Sequence, residues 1–334
     1  MVMHTVLGGD LGGTKVLLGL FSVDDARSVP VRWQSFPSAA HGDLPSIVRA
    51  FLGAEQPAIA AAVIGVAGPV TDRHATLTNL PWSVDADELR ALLGTPRVEL
   101  INDIQATAYG VLTLPDAAFV SLNAGTPRAG SAAVIAAGTG LGEAGLYWDG
   151  AAHRVAASEG GHADFAPRTD LEAALCDHLR RRFGHVSYER VLSGAGLVNI
   201  YEFLRDTGRA DEPPALARRL GADDAAAVIS EAALAGEAPI CVQALELFVS
   251  VYGAEAGNLA LKLYATGGVY VAGGIAPKIE SKLHDGTFMA AFRDKGRMAA
   301  LMETIPVRIV LDPQAPLAGA GYRAGRLARE GGTP

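Results

Sequence analysis

Cysteine, excess positive charge and long apolar runs are all scarce in this sequence, and each scarcity argues against a class of protein. Only Cys176 and Cys241 occur among the 334 residues, and neither belongs to a Cys-x-x-Cys pattern. A disulfide framework and a structural zinc site are therefore not expected. The 28 Lys and Arg residues are outnumbered by 36 Asp and Glu residues, which gives a net charge of −8 and argues against a nucleic-acid partner.

Membrane and targeting segments are not expected either. No stretch approaches the roughly 18 uninterrupted apolar residues that a membrane-spanning helix requires. The first apolar stretch has no Lys or Arg before it and soon reaches Asp10, which is unlike a secretory signal. We expect a cytoplasmic protein that binds no membrane.

The composition that is present favours a folded α/β protein of two lobes. Apolar residues make up 49% of the chain, and 334 residues suffice for two domains. Short apolar runs typical of buried strands alternate with helical periodicity up to about residue 112, and the same order then restarts. We predict a small α/β lobe at 1–112 and a large α/β lobe at 113–316. A C-terminal helix at about 317–334 is predicted to return to the small lobe.

A glycine-rich turn lies between the first two predicted strands and reads Gly9-Asp10-Leu11-Gly12-Gly13-Thr14-Lys15. Glycines permit a close turn whose N–H groups face phosphate oxygens, and the Thr14 hydroxyl adds a donor. The Asp10 carboxylate is suited to holding hydrated Mg²⁺. The spacing is not that of a P-loop, and an ordinary hairpin turn explains the same residues.

Two further glycine-rich segments follow predicted strands. Gly138-Thr139-Gly140-Leu141-Gly142 follows Ser131–Ala137 and can serve phosphate in the same way, although it lacks a dinucleotide fingerprint. Gly273 and Gly274 end the strand Gly268–Ala272, where a loop without side chains admits a ribose or an adenine ring. A structural turn and close strand-to-helix packing remain the alternatives for these segments.

Asn102 and Asp103 come at the end of the apolar strand Val98–Ile101, where open α/β sheets offer side chains to ligands. A carboxylate there can accept a hydroxyl proton as the oxygen attacks phosphorus. Asp103 is therefore the candidate catalytic base. The alternative is an Asx cap for a helix that starts near Gln105.

An acid and an imidazole flank two glycines in Ser158-Glu159-Gly160-Gly161-His162, an arrangement suited to hydrogen bonds with neighbouring hydroxyls of a polyol. One Glu and one His are too few for zinc, and a surface turn is the simpler alternative. Glu189 can reach the same sugar or pair with Arg190.

Seven segments taken in order resemble the bacterial glucokinases, and the resemblance covers nearly the whole chain. They are Gly9–Thr14, Thr78-Asn79-Leu80-Pro81-Trp82, Asn102-Asp103, Gly138–Gly142, Glu159–His162, Glu189-Arg190-Val191-Leu192-Ser193-Gly194 and Ala272-Gly273-Gly274-Ile275. The resemblance implies a two-lobed, actin-like ATPase fold of the hexokinase type, related to ribonuclease H, with a ligand cleft between the lobes. It also implies an ATP- and Mg²⁺-dependent transfer to the 6-hydroxyl of glucose, the first step of glycolysis.

The resemblance also implies a role for each matching residue. Asp103 resembles the base on the sugar hydroxyl, and Asp10 is expected to bind Mg²⁺ through water. The expected sugar ligands are Asn102, Asp103, Glu159, His162 and Glu189. The expected ATP contacts are Gly9, Asp10, Leu11, Gly12, Gly13, Thr14, Gly138, Thr139, Gly140, Gly273 and Gly274. A homodimer is expected, since such enzymes are commonly dimeric.

The sequence also separates this family from related sugar kinases. ROK kinases carry a cysteine-rich zinc motif soon after a Glu-x-Gly-His segment, whereas Cys176 stands alone here. A ROK-type repressor would also need an N-terminal helix-turn-helix, and the first predicted strand starts at Thr5. Another hexose such as mannose, fructose or an amino sugar remains open as the substrate, as do ADP or polyphosphate as donors. A non-catalytic sugar sensor is the alternative outside enzymes.

Overall fold

The computed structural model describes residues 3–24, 28–55, 57–77 and 80–330. The chain divides into two compact units. Unit 1 comprises Met1–Ala118 together with Asp312–Pro334, and unit 2 comprises Phe119–Leu311. Thr78 and Asn79, which begin the predicted Thr78–Trp82 motif, lie outside the described residues.

The strands within the described residues are β1 (His4–Leu11), β2 (Lys15–Val23), β3 (Ser28–Pro37), β4 (Ala61–Val66), β5 (Val70–Thr71), β6 (His74–Thr76), β7 (Ser83–Asp85), β8 (Val98–Asn102), β9 (Phe119–Asn123), β10 (Ala132–Ala137), β11 (Leu141–Trp148), β12 (His153–Ser158), β13 (Gly268–Ala272) and β14 (Val307–Val310). The α-helices are α1 (Leu44–Leu52), α2 (Ala86–Leu93), α3 (Asp103–Gly110), α4 (Asp170–Phe183), α5 (Gly194–Asp206), α6 (Pro214–Ala222), α7 (Ala225–Leu234), α8 (Pro239–Leu263), α9 (Glu280–Leu283), α10 (Thr287–Arg293), α11 (Ala299–Thr304) and α12 (Ala315–Glu330).

Five strands in each of the two main sheets share one topology, and unit 2 adds β9, antiparallel to β14, at the edge of its sheet. Unit 1 has the order β3-β2-β1-β4-β8, and unit 2 has the order β12-β11-β10-β13-β14-β9. One end of each sheet consists of three antiparallel strands, β1-β2-β3 in unit 1 and β10-β11-β12 in unit 2. Two parallel strands then extend the sheet, β4 and β8 in unit 1 and β13 and β14 in unit 2. Both glycine-rich turns therefore join two antiparallel strands at equivalent places in the two sheets, which is an internally duplicated architecture.

The C-terminal helix α12 packs closely on unit 1 because glycines line its contacts. A Cβ on Gly319 would strike the carbonyl oxygen of Ala106 in α3, and a Cβ on Gly8 in β1 would lie 2.7 Å from the amide nitrogen of Gly321. Helix α3 is thus held against α12 at backbone contact distance. Since α3 begins at Asp103, this packing fixes the start of the helix that carries the candidate base.

Most predicted elements are confirmed, and strand β12 lies outside the predicted ones. Strand β11 begins at Leu141. Thr169 is the N-cap of α4, since its hydroxyl accepts from the Glu172 amide at 3.2 Å. The Glu172 carboxylate accepts in turn from the Arg168 amide at 2.6 Å.

Helix α8 is the central helix of the unit 2 core. Among the described residues it is the one helix whose length and apolar composition would suffice to cross a membrane. However, 78% of its most apolar stretch is buried within the protein. Tyr252, Phe248 and Ala256 on this helix are fully buried. That burial is typical of the core helix of a folded domain.

Candidate active site

The end of three parallel strands in unit 1 brings Asp10 and Asp103 together. Asp10 on β1 pairs with Gly65 on β4, and Gly65 pairs in turn with Ile101 on β8. Gly65 has no side chain to separate them, and a Cβ there would lie 3.8 Å from the Cα atom of Asp103. The carboxylates are close enough that the charge of Asp103 raises the pKa of Asp10.

Asn102 is the N-cap of helix α3. Its Oδ1 accepts from the Ile104 amide at 2.9 Å, and its Nδ2 donates to the Gly68 carbonyl at 3.1 Å. Gln105 completes a capping box because its Oε1 accepts from the Asn102 amide at 3.1 Å. The cap anticipated from the sequence is therefore present, but the helix starts at Asp103 and not near Gln105. An amide side chain has two donors and two lone pairs, so these bonds leave capacity for a sugar hydroxyl.

Asp103 is the first residue of α3 and is half-buried. Its Oδ1 accepts from the Ile104 amide at 2.8 Å. The exposed N–H groups at a helix N-terminus favour negative charge, so this position stabilises a carboxylate. An ionised, oriented carboxylate is the form that a general base needs.

Asp10 has a raised pKa. Burial contributes most and the neighbouring charge of Asp103 adds to it, while Lys15 opposes the shift, and the resulting pKa is about 6. Two carboxylates with little compensation attract a divalent cation, and Mg²⁺ is commonly held by one or two carboxylates plus substrate phosphates. Asp10 therefore fits the predicted magnesium role on chemical grounds.

The first glycine-rich turn is anchored by a residue that the sequence did not suggest. Buried Ser38 donates from its hydroxyl to the Gly12 carbonyl at 3.2 Å and from its amide to the Thr14 carbonyl at 3.0 Å. The Gly12 amide donates to Lys15 within the hairpin. Across the described residues, no acceptor is found for the amides of Gly13 and Thr14. Those two N–H groups are the ones available for a phosphate.

Two other residues of the predicted ATP set have packing roles. Gly9 lies within β1, and a Cβ on it would lie 2.6 Å from Ile64 Cδ1. Leu11 is fully buried in the unit 1 core. Their contribution to nucleotide binding is thus restricted to backbone atoms and to the shape of the turn.

The second glycine-rich turn, in unit 2, is tied to Glu189. The Leu141 amide donates to Glu189 Oε2 at 3.0 Å, and a Cβ on Gly140 would lie 2.5 Å from the same oxygen. The alternative partner Arg190 instead stacks on the ring of Phe183 at 4.2 Å. Glu189 therefore lies directly beside the turn that is predicted to bind phosphate.

Backbone hydrogen bonds also hold the second glycine-rich turn in place. Gly138 donates to the Gly140 carbonyl at 2.8 Å, and its own carbonyl accepts from the Gly194 amide at the start of α5 at 2.9 Å. Thr139 is the central residue of the resulting tight turn. The turn is therefore held by α5, which follows the Glu189–Gly194 motif in the chain.

The Gly273-Gly274 loop lies beside the second turn. Gly273 has φ of +86°, a conformation that favours glycine, and a Cβ on it would strike the carbonyl oxygen of Ala137. That carbonyl accepts from the Ile275 amide at 3.2 Å. The buried hydroxyl of Tyr252 accepts from the Ala137 amide at 3.2 Å and lies 3.3 Å from the Ala272 carbonyl. One side chain thus holds the ends of both strands that lead into the predicted nucleotide loops.

Glu159 and His162 extend from a short 3-10 turn at Gly160–His162. Their side chains are 70% and 61% exposed, and His162 Nε2 lies 3.9 Å from Glu159 Oε2, so both are accessible to a ligand. A Cβ on Gly161 would strike the carbonyl oxygen of Leu141, which places the turn against the start of β11. No group of three or more His, Cys, Asp or Glu side chains suited to a metal ion occurs within the described residues.

Unit 2 therefore gathers three predicted sugar ligands and one predicted phosphate turn around Leu141. Its amide binds Glu189, its carbonyl packs against Gly161, and it ends the Gly138–Gly140 turn. Sequence reasoning missed Ser38 and Tyr252, which carry no motif. Their signal is weak, because a serine after a strand and a tyrosine inside a long apolar helix are both common.

Comparison with known proteins agrees with this arrangement. A family profile described as Glucokinase matches residues 7–326. The chain is 43% identical over 341 residues to a glucokinase of Nostoc punctiforme, covering 97% of this chain and 100% of that protein. The crystal structure of a glucokinase from an Antarctic psychrotroph matches with a TM-score of 0.85 at 33% identity, covering 96% of this chain and 99% of that chain. The glucokinase of Balamuthia mandrillaris in complex with glucose has a TM-score of 0.76 at 24% identity over 96% and 94% of the two chains, which shows a shared fold.

The repeated sheets, the paired carboxylates and these matches define an ATP-dependent hexose kinase with the actin-like ATPase type of fold. The predicted fold class is thereby confirmed. Within that class, the chain belongs to the glucokinase family.

Proposed function

We propose that this protein transfers the γ-phosphoryl group of ATP to the 6-hydroxyl of glucose and releases glucose 6-phosphate and ADP, the first step of glycolysis. The observation that carries this proposal is the position of Asp103 at the N-terminus of α3, in the electrostatic field of Asp10. A sugar-binding protein without turnover has no need for two carboxylates at this strand end. The similarity to glucokinases over the whole chain supports glucose as the acceptor.

Asp103 accepts the proton of the 6-hydroxyl as that oxygen attacks the γ-phosphorus. The proton moves to a carboxylate oxygen that the helix N-terminus holds in place. Asn102, Glu159, His162 and Glu189 bind the sugar hydroxyls and orient the acceptor. Positioning of this kind supplies much of the rate in phosphoryl transfer, where the protein performs little covalent chemistry.

The glycine-rich turns bind the phosphates through backbone N–H groups, and the Gly273-Gly274 loop accommodates the adenosine. Asp10 would hold Mg²⁺, and a cation bound there would supply positive charge to the phosphates. The raised pKa of Asp10 supports this role, because a carboxylate that is costly to ionise alone gains most from a nearby cation.

We further propose that the protein acts in the cytoplasm as a homodimer. The net charge of −8 supports a dissolved protein without nucleic-acid or membrane partners. Two-fold dimers are the commonest oligomers of such chains. Sedimentation equilibrium of the purified protein tests this part, and a single species of 34.5 kDa would contradict it.

The function is tested with a coupled assay of ADP release from Mg-ATP across glucose, mannose, fructose and glucosamine, with the product analysed for a 6-phosphate. We expect the highest kcat/KM for glucose. The Asp103→Ala variant, purified in the same way, controls for contaminating kinases. A preference for another hexose would keep the mechanism and change the substrate, whereas sugar binding without turnover would support a sensor.

A further inference from the structure

Glu143 is a buried acid that none of the roles above uses. It lies on β11 and is 1% exposed, and its cross-strand partner on β12 is Ser158. Among the described residues, its Oε1 atom has no hydrogen-bond partner. A buried carboxyl without a partner is costly, so its presence calls for a function that an apolar residue would not supply.

The carboxyl of Glu143 lies directly under the Gly160–His162 turn. A Cβ on Gly160 would strike Glu143 Oε2 and would lie 2.9 Å from the carboxyl carbon. The turn is held on the same side by Ser158, whose hydroxyl accepts from the Gly160 amide at 2.9 Å. The backbone between Glu159 and His162 therefore packs against the Glu143 carboxyl.

A second buried acid, Glu255 on α8, lies near the Tyr188–Arg190 turn, which contains the predicted sugar ligand Glu189. It is fully buried and accepts from Asn258 Nδ2 at 2.8 Å, and the same nitrogen donates to the Tyr188 hydroxyl at 3.1 Å. Tyr188 immediately precedes Glu189. The pKa of Glu143 is raised to about 7 by its burial and by the charge of Glu255, against the opposing effect of Lys262.

We propose that Glu143 is a positioning residue for the sugar: its carboxyl, packed against Gly160, holds the Glu159–His162 turn in the conformation that binds the hexose. The inference rests on the proposed function, since it assigns the turn to sugar binding. The Glu143 carboxyl makes no contact with substrate in this role. It acts through the backbone of the turn, and Glu255 supports the adjoining turn of Glu189.

The test compares Glu143→Ala and Glu143→Gln with the wild type by steady-state kinetics and by calorimetric titration with glucose. Removing the carboxyl leaves space under Gly160, and a misplacement of about 1 Å can cost about 100-fold in activity. We expect Glu143→Ala to raise the glucose KM and Kd at least about tenfold, with the ATP KM changed less than about twofold. Glutamine has nearly the same shape and no charge, so Glu143→Gln should stay within about threefold of the wild type.

Glu172→Gln is the matched control, because Glu172 is equally buried in unit 2 but pairs with Arg168. It should lower the melting temperature without a selective change in glucose KM. Equal losses for glucose and ATP in Glu143→Ala, an unchanged glucose KM, or a Gln variant as poor as the Ala variant would each overturn the proposal. If the wild type itself neither binds nor phosphorylates glucose, the proposed function fails instead, which the same titration reveals.

Discussion

Replacing Asp10 by asparagine should stabilise unit 1 while removing activity. The pKa of Asp10 is raised from 3.8 to about 6, mainly by burial. A raised acid pKa means that the folded state binds the proton more tightly than the unfolded chain, so ionisation destabilises the fold as pH increases from 3.8 to 6. A shift of roughly two units is worth about 3 kcal/mol.

The stability gained by replacing Asp10 should depend on pH. By linkage, ionisation of Asp10 lowers the free energy of unfolding by about 1.5 kcal/mol at pH 5 and by about 3 kcal/mol at pH 8. Below pH 3.8 it lowers it by almost nothing. Asp10→Asn removes the charge, so its gain in stability over the wild type should roughly double from pH 5 to pH 8. Kinase activity should be lost at the same time, because the amide holds a cation poorly.

The assay is urea unfolding followed by tryptophan fluorescence in a Trp148→Phe background, where the remaining Trp33 and Trp82 both report on unit 1. Asp72→Asn, an exposed position in the same unit at φ of 48°, is the control and should change little. A gain that is independent of pH, or a destabilised Asp10→Asn variant, would refute the assigned origin of the shift.

Four further substitutions test the site. Asp103→Ala should lower kcat at least about 100-fold while glucose still binds, as measured by turnover and calorimetry, and near-normal turnover would remove Asp103 from the mechanism. Glu159→Gln and His162→Ala should raise the glucose KM with kcat largely retained, and an unchanged KM in the hexose assay would reject their assignment. Tyr252→Phe leaves the buried Ala137 amide without its acceptor, a loss of about 1–3 kcal/mol, and should raise the ATP KM more than the glucose KM. Equal changes in both constants would contradict that role.

Several buried strands could be predicted because each is a short apolar run bounded by turn residues. Ala61–Val66 and Gly268–Ala272 are continuous apolar segments. Such segments are typical of strands that are buried on both faces and lie parallel to their neighbours in the sheet. Strand β12 was missed because three of its six residues, His153, Arg154 and Ser158, are polar and none of the six is buried. Its pairing with β11 stabilises a segment whose own sequence does not favour a strand.

The candidate site was predictable only where chemistry and motif coincide. Asp10 and Asp103 carry both signals, and the parallel register brings them together across Gly65. Glu143 carries no motif, and the role proposed for it depends on its contact with Gly160, which lies in a turn after the neighbouring strand. Non-local contacts of this kind leave no pattern in a single sequence.

The two glycine-rich turns occupy equivalent places in the repeated sheets, yet their chemistry differs. Asp10 on β1 precedes the first turn, whereas the corresponding part of β10 holds only alanines, Ala136 and Ala137. A phosphate that approaches the first turn meets a carboxylate and needs a cation between them. At the second turn the neighbouring carboxylate, Glu189, comes from another segment and accepts a hydrogen bond from the Leu141 amide. We therefore expect the magnesium site of the proposed reaction at the first turn, in unit 1.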